Sequence, residues 1–557
     1  MSLDRITLDI LSGKLTATVD EMGAVLARTS MSPLIYEILD FACGLCDAQG
    51  RLIAQGNGIT LFTGTFSEQV GHLIAKHGDS LAPGDVFIAN HPYDGGTHAN
   101  DVAIMRPIFL PDGSLLAFAV AVAHWLDIGG AKPGSLPPDA TEIFQEGLRL
   151  PCLRLCRDQS IDPTLLDLLS VNLRFPDLAI GDLKAELAAT QIAEDRLLQA
   201  AARYGGETLR ACFAHILQRD EVASRRAVAA LPDGVYSARD TIDGDGASDT
   251  AIPVELAVTI AGESMTFDFT GCAAARPAPI NCTRGALLSA VKTVFKALVE
   301  PQATANDGWF APLRLIAPPG TVFTAEAPSP VGWYYEGSAQ ASELAWKALA
   351  PLAPERFSAG SYMSLTVAYI CGRGGEGRRA YVHIEPAHGG WGAAEGADGA
   401  SALIALTDGD TYNTACEVIE DKFPLRLRSY RLNTEAGGGA GRWRGGFGLI
   451  REYEILEEGN FLYCSVGRSR TPPWGLEGGE DGSCNGVEVL RDGEVLRLAR
   501  TPHVELQPGD RVRIVTGGGG GYGSPLERPR DAVAADLAAG YVTPEIARDL
   551  YGWAPTE

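Results

Sequence analysis

From residue 3 to residue 30, apolar side chains recur at helical spacing: Ile6, Leu8, Ile10, Leu11, Leu15, Val19, Met22, Val25 and Leu26. That period predicts an amphipathic opening helix. At Asp40 it changes. Residues 41–46, turn residues 47–50 and residues 51–54 predict a hairpin. Helical spacing returns over Phe66 to His77, and a short apolar run follows Pro83-Gly84. A polar, glycine-rich loop, 90–100, then leads into two long apolar runs, 102–110 and 115–124, on either side of Asp112-Gly113.

Residues 161–231 are helical almost throughout, with runs at 185–202 and 208–218. After Leu231-Pro232-Asp233-Gly234 the pattern turns to strands at 235–238, 254–260 and 265–269. Helices are expected at 287–298, 339–349 and 530–551, and strands and glycine-rich turns between 435 and 525. The fold class is therefore α+β: a mixed, multi-domain chain with antiparallel hairpins, a helical arm and a glycine-rich β region towards the C-terminus. The expected divisions are an N-terminal α+β region (1–160), the arm (161–231) and a C-terminal α/β and β-rich region (232–557) ending in a helix. No repeat of solenoid period occurs.

Composition narrows the function. The 557 residues exceed what one core normally serves, and 46% apolar with 21% charged residues is ordinary for a globular protein. A net charge of −24 repels phosphate backbones, so no nucleic-acid partner is expected. The longest apolar stretch, Leu115 to Ala123, is too short to span a bilayer. With no basic and apolar leader, a cytoplasmic protein without membrane contact is expected. Cys43 and Cys46 form a C-x-x-C, but on a strand that spacing sends the two thiols to opposite faces, so separate reduced residues are expected.

Three of the nine histidines fall between positions 91 and 124. Asp112-Gly113 favours a two-residue hairpin turn. Such a turn places Asp101 directly opposite His124, with the side chains close enough to share a cation. Pro107 weakens that register, because proline inside a strand implies an edge or a bulge. His98 can fold in from the glycine loop, which Gly95 and Gly96 allow to approach a ligand closely. Imidazole and carboxylate together suit zinc, manganese or iron. The competing reading makes these residues polar caps on two buried strands. Gly437 to Gly441 and Gly517 to Gly521 lack the Lys-Ser/Thr of a P-loop, so tight turns and bulges are expected there. His383 and His388 flank Glu385 as a second pocket wall or a structural pair. No G-x-S-x-G elbow supports a serine hydrolase.

Gly95-Gly96-Thr97-His98-x-x-Asp101, His124-x-x-Asp127-Ile128-Gly129-Gly130 and Glu142 to Arg149 resemble the hydantoinase B/oxoprolinase family. So do Glu417 to Glu420, Gly438 to Gly446 and Gly517 to Pro525, in the same order over nearly the whole chain. The resemblance implies the metal-bearing B-type subunit of a hetero-oligomer, in which a separate hydantoinase A-type subunit carries ATP and phosphorylates the substrate. It implies a divalent metal on Asp40, His98, Asp101 and His124, with Asp40 coming from resemblance alone. Substrates in the family are lactams, hydantoins or ketones. The first expectation is hydrolysis of an activated cyclic amide, the alternative is ATP-dependent ketone carboxylation, and a scaffold with a structural metal is the third. Asp127, Glu146 and His91 are expected to take catalytic parts, and Gly95, Gly96 and Thr97 to bind substrate. Asp127 or Asp94 is expected to orient a metal-bound imidazole or bind substrate, and the competing reading makes Asp127 a cap on the turn at Gly129-Gly130. His91 stands where many relatives have Asp, residues 61–64 replace a usual His-Leu-Gly, and residues 403–408 replace the His-x-His-Met-Thr-Asn stretch of oxoprolinases. These departures argue against 5-oxoproline.

Overall fold

The long apolar runs become the middle of a sheet that is buried on both faces, so they need not alternate. A computed structural model describes residues 4–374, 379–409 and 411–554. Its first sheet joins β1 (Phe41–Asp47), β2 (Leu52–Gln55), β3 (Val86–Ala89), β4 (Asp101–Phe109), β5 (Leu115–His124), β6 (Leu153–Arg157) and β7 (Ser160–Ile161). The order across it is β2-β1-β5-β4-β3-β6-β7, antiparallel throughout. One face packs on the opening helix Arg5–Thr29 and the helices Pro176–Tyr204 and Gly206–Ala229. The expected helical region thus forms a layer on this sheet. The other face meets the helices Arg284–Val299 and Tyr334–Leu349 and a second sheet. Cys43 and Cys46 divide between these two cores, and both are free thiols. The apolar pattern of the opening helix starts at residue 3, which lies outside the described residues.

The hairpin that carries the candidate site has the expected pairing, Asp101 opposite His124, reached through two departures that cancel. Its loop holds three residues, Pro111 to Gly113: Leu110 N–H donates to Ser114 O (2.9 Å) and Gly113 N–H to Leu110 O (2.8 Å). Gly113 is left-handed at φ 83°, as a three-residue hairpin loop requires. A bulge between Ile108 and Phe109, next to Pro107, then restores the register.

The second sheet joins β8 (Gly234–Ile242), β9 (Ile252–Ala261), β10 (Ser264–Asp268) and β11 (Leu313–Ile316) in the order β11-β10-β9-β8. The third includes β12 (Val367–Gly372) and, on its edge, β13 (Tyr381–His383). A fourth, five-stranded sheet spans the C-terminal half. The expected terminal helix is two, Arg530–Ala538 and Pro544–Asp549.

Glycines 517–521 form neither tight turns nor bulges. They run as a chain that is hydrogen-bonded on several sides: Gly439 N–H to Gly519 O (2.8 Å), Gly519 N–H to Gly446 O (3.0 Å), Gly520 N–H to Gly360 O (2.9 Å) and Ala393 N–H to Gly520 O (2.9 Å). A Cβ on Gly519 would lie 2.1 Å from the Trp391 carbonyl, so the neighbouring backbones occupy the space a side chain would need.

Candidate metal centre

Asp101 opens β4 and His124 closes β5, so the hairpin brings the two to one end of the sheet. His98 reaches them from the preceding loop, whose Asp101 N–H donates to His98 O (3.2 Å). The three ligand atoms converge. His98 Nε2 lies 2.9 Å from Asp101 Oδ1 and 3.1 Å from His124 Nδ1, and His124 Nδ1 lies 3.0 Å from Asp101 Oδ1. All three residues are buried, and their ligand atoms fall within 4.8 Å of one another.

Neighbours fix each side chain. His98 Nδ1 is 2.7 Å from Gly332 O. A carbonyl only accepts, so Nδ1 carries the proton and Nε2 turns its lone pair to the cluster. The same Gly332 donates its N–H to Glu146 (2.7 Å), as does Val331 (3.0 Å). Asp101 Oδ2 accepts from Thr97 Oγ1 and from Tyr334 Oη, the latter at 3.1 Å. Behind them, His124 N–H donates to Asp40 O (3.0 Å).

A cavity of about 50 Å³ opens on the cluster. Asp40 and Asp408 line it beside the three cluster residues, with Tyr334, Tyr335, Tyr369, Leu34 and Ile384 among the rest. Asp408 shows in the sequence only as part of a segment that departs from oxoprolinases. Among the described residues, three carboxylates and two imidazoles face this space, and no Lys or Arg lines it. Burial raises the Asp40 carboxyl well above the usual range, and the charges of Asp408 and Asp101 push the same way. Asp408 is pushed up to about 6 by burial, with Asp101 adding to it. Burial also acts against the Asp101 anion, but His98 and His124 outweigh it and hold that carboxyl below its usual range. Burial lowers His124, and the His98 charge adds to the effect. For His98, burial is outweighed by Asp101 and the Gly332 bond, and its pKa rises. Such a donor set fits a divalent cation: its charge would offset the carboxylates, and the ligand types suit zinc, manganese or iron.

The other expected site residues sit elsewhere. Asp127 does not touch the cluster. Its carboxylate accepts from Gly129 N–H (2.9 Å), Gly134 N–H (3.0 Å) and Ser135 Oγ (3.1 Å), and pairs with Arg174 (2.9 Å). It holds the loop together, as Asp in a turn does well. Glu146 does not line the cavity and acts through Gly332; burial pushes its carboxyl up to about 7. His91 lies 3.6 Å from Asp94, which also meets His72 at 3.4 Å, so Asp94 does not orient His98. His91 borders a separate space of about 10 Å³ that Asp101 also lines. Gly95 and Gly96 do not line the cavity at the cluster either. Gly96 O accepts from Thr283 Oγ1 (2.7 Å), and a Cβ on Gly95 would lie 2.9 Å from the Glu68 backbone. They serve close backbone packing, and Thr97 serves Asp101. His388 is a structural residue bonded to Asn413 (2.8 Å), whereas His383 lines a larger cavity of about 700 Å³.

The sequence model of the hydantoinase B/oxoprolinase family matches residues 4–525. The chain belongs to that family. It is 32% identical over 571 residues to the putative D-/L-hydantoinase B-type subunit of Pseudomonas sp. (strain NS671), covering 99% of this chain and 95% of the relative. The crystal structure of the ATP-dependent caprolactamase from Pseudomonas jessenii superposes with a TM-score of 0.93 at 28% identity, covering 100% of this chain and 97% of that one. Nucleotide-free acetone carboxylase matches with a TM-score of 0.90 at 20% identity, over 99% of this chain and 79% of that one, which is a likeness of fold. Among the described residues, no helix of this family member is long and apolar enough to cross a membrane.

Proposed function

We propose that this chain is the metal-bearing B-type subunit of an ATP-dependent cyclic-amide hydrolase that opens a lactam or hydantoin ring after a separate A-type subunit has activated it. The observation that carries the reading is the buried convergence of His98, Asp101 and His124 on a cavity edged by Asp40 and Asp408. Full-length similarity to a hydantoinase B-type subunit and to a caprolactamase supports the substrate class. His98, Asp101 and His124 would hold the cation, with Asp40 beside them. When bound, such a cation supplies Lewis acidity and lowers the pKa of water.

The chain's own residues do the rest. Gly332 holds the His98 proton on Nδ1, and Tyr334 and Thr97 donate to Asp101 Oδ2, which leaves Oδ1 facing His98 and His124. Tyr335, Tyr369 and Ile384 help exclude bulk water, which strengthens every electrostatic contact inside. Asp408 stands at the cavity wall, where its carboxylate adds to the negative charge that a bound cation would offset. Ketone carboxylation is the weaker reading, because the likeness to acetone carboxylase is one of fold.

Co-purification with the A-type partner tests this. The pair should hydrolyse ATP when given ε-caprolactam or a hydantoin, and this chain alone should hydrolyse none. ATP turnover driven by a ketone with bicarbonate, and by no cyclic amide, would overturn the assignment. So would substrate-dependent ATPase from this chain alone.

A further inference from the structure

The cavity at the cluster, about 50 Å³, has room for a few waters. Pockets that bury a small organic molecule run to about 300–1,000 Å³. A cavity of that size lies next to it. It measures about 700 Å³, and Leu34 and Ile384 line both spaces. The other space that Asp101 borders, beside His91, measures about 10 Å³ and admits one water at most. An organic substrate therefore has one roomy approach to the cluster among the described cavities.

The larger cavity has an apolar wall, to which Leu126, Phe175, Val382 and Phe423 contribute. Two of its basic side chains are already engaged, Arg373 with Glu505 and Lys422 with Tyr36. Its other lining residues include Arg379, His383 and Asp421, so the space suits a compact molecule with an apolar body and a polar or charged end.

We propose that the 700 Å³ cavity is the antechamber of the cluster, and that Leu34 and Ile384 form the gate between them. Its occupant is a compact cyclic molecule with an apolar body, of the lactam class. The inference rests on reading the cluster as a metal site. Both gate residues sit on slender elements. Leu34 lies on the single helical turn Pro33–Tyr36, and Ile384 follows the three-residue edge strand β13. Leu34 O accepts the Asp40 N–H (2.9 Å), so a shift of this turn is felt at the cluster wall. Upstream, Asp182 Oδ1 pins the turn by accepting the N–H groups of Met31 (2.7 Å) and Ser32 (3.0 Å). Side-chain rotation at two such positions would open a path without unfolding the sheet beneath.

The test loads the full chain with Co²⁺, follows its absorption, and adds excess dipicolinate to draw the metal out. Leu34→Ala and Ile384→Ala should each release Co²⁺ several-fold faster than wild type, with equilibrium affinity unchanged. A bulkier gate, Ile384→Phe or Leu34→Phe, should slow release. Millimolar ε-caprolactam should slow wild-type release by filling the antechamber. His91→Ala, at a residue that lines the small space and not the antechamber, should leave the rate as it is. Wild-type rates in all the gate variants that fold, or acceleration by His91→Ala alone, would overturn the antechamber. Wild-type chain that binds no Co²⁺ overturns the metal reading first, and the antechamber with it; that result is seen before any kinetics are measured.

Discussion

Glu146, for which the family resemblance implies a catalytic part, stands one carbonyl away from it. Its carboxylate gathers the Val331 and Gly332 N–H groups, and Gly332 O in turn fixes the His98 proton on Nδ1. Partners that orient a metal-bound imidazole typically account for roughly 10- to 100-fold in metal affinity. Glu146→Gln keeps the shape but sets an amide N–H₂ against one of the two donors. The expected outcome is a fold intact by circular dichroism, a loss of affinity in that range by chelator competition, and a changed His98 tautomer in ¹⁵N NMR. Unchanged affinity would reduce Glu146 to a loop brace. Asp182 offers a pH test away from the cluster. Burial pushes its carboxyl up to about 6 from 3.8, and its Oδ2 has no hydrogen-bond partner. The folded chain therefore holds this proton more tightly than the unfolded one. The associated stability is full below about pH 4 and is lost as pH rises through about 6, by roughly 3 kcal/mol at most. Asp182→Asn keeps the acceptor for Met31 and Ser32 and removes the titration. Thermal unfolding at pH 5 and pH 8 should show a smaller difference between the two in the variant than in wild type.

At the scale of elements, short-range pattern carries far and then stops. Phe66–His77 is the expected helix to the residue, because an amphipathic period states both the element and its buried face. The β4–β5 pairing is legible because Asp-Gly marks a hairpin and Pro107 signals an irregularity, although the three-residue loop that offsets the bulge is not visible. The glycine chain at 517–521 is illegible for a physical reason. Its glycines answer to backbones far away in sequence, at 360, 391–393 and 437–446, and not to a local φ requirement. A sharp contrast should follow between two substitutions. Gly519→Ala would force a Cβ against the Trp391 backbone, where nothing flexible can yield, and should cost more than about 4 kcal/mol or abolish folding. Gly486→Ala, at the start of a strand with nothing within 4 Å of the new methyl, should leave the melting temperature within a few degrees of wild type. Equal effects of the two changes would mean that close backbone packing does not set the choice of glycine.

Across the whole molecule, the centre is assembled from distant parts of the chain. His98, Asp101 and His124 come from one hairpin and its loop, and spacing alone can bring them together. Tyr334, Tyr335, Tyr369 and Asp408 come from the C-terminal half, and the first sheet meets them through a shared core. No local pattern announces a contact across more than two hundred residues, so neither Asp408 nor the Tyr334 bond to Asp101 has a sequence signal. Asp127 is the opposite case. It is close to His124 in sequence, but its turn folds its carboxylate towards Gly129, Gly134 and Arg174. The proposed function stands or falls with a divalent cation held by His98, Asp101 and His124. The most direct measurement is metal content and affinity of the purified chain, by elemental analysis and chelator competition, in wild type, His98→Ala and His124→Ala. About one Zn²⁺, Mn²⁺ or Fe²⁺ per wild-type chain is expected, with a large loss of affinity in each folded variant. Wild-type metal content and affinity retained in both variants would contradict it.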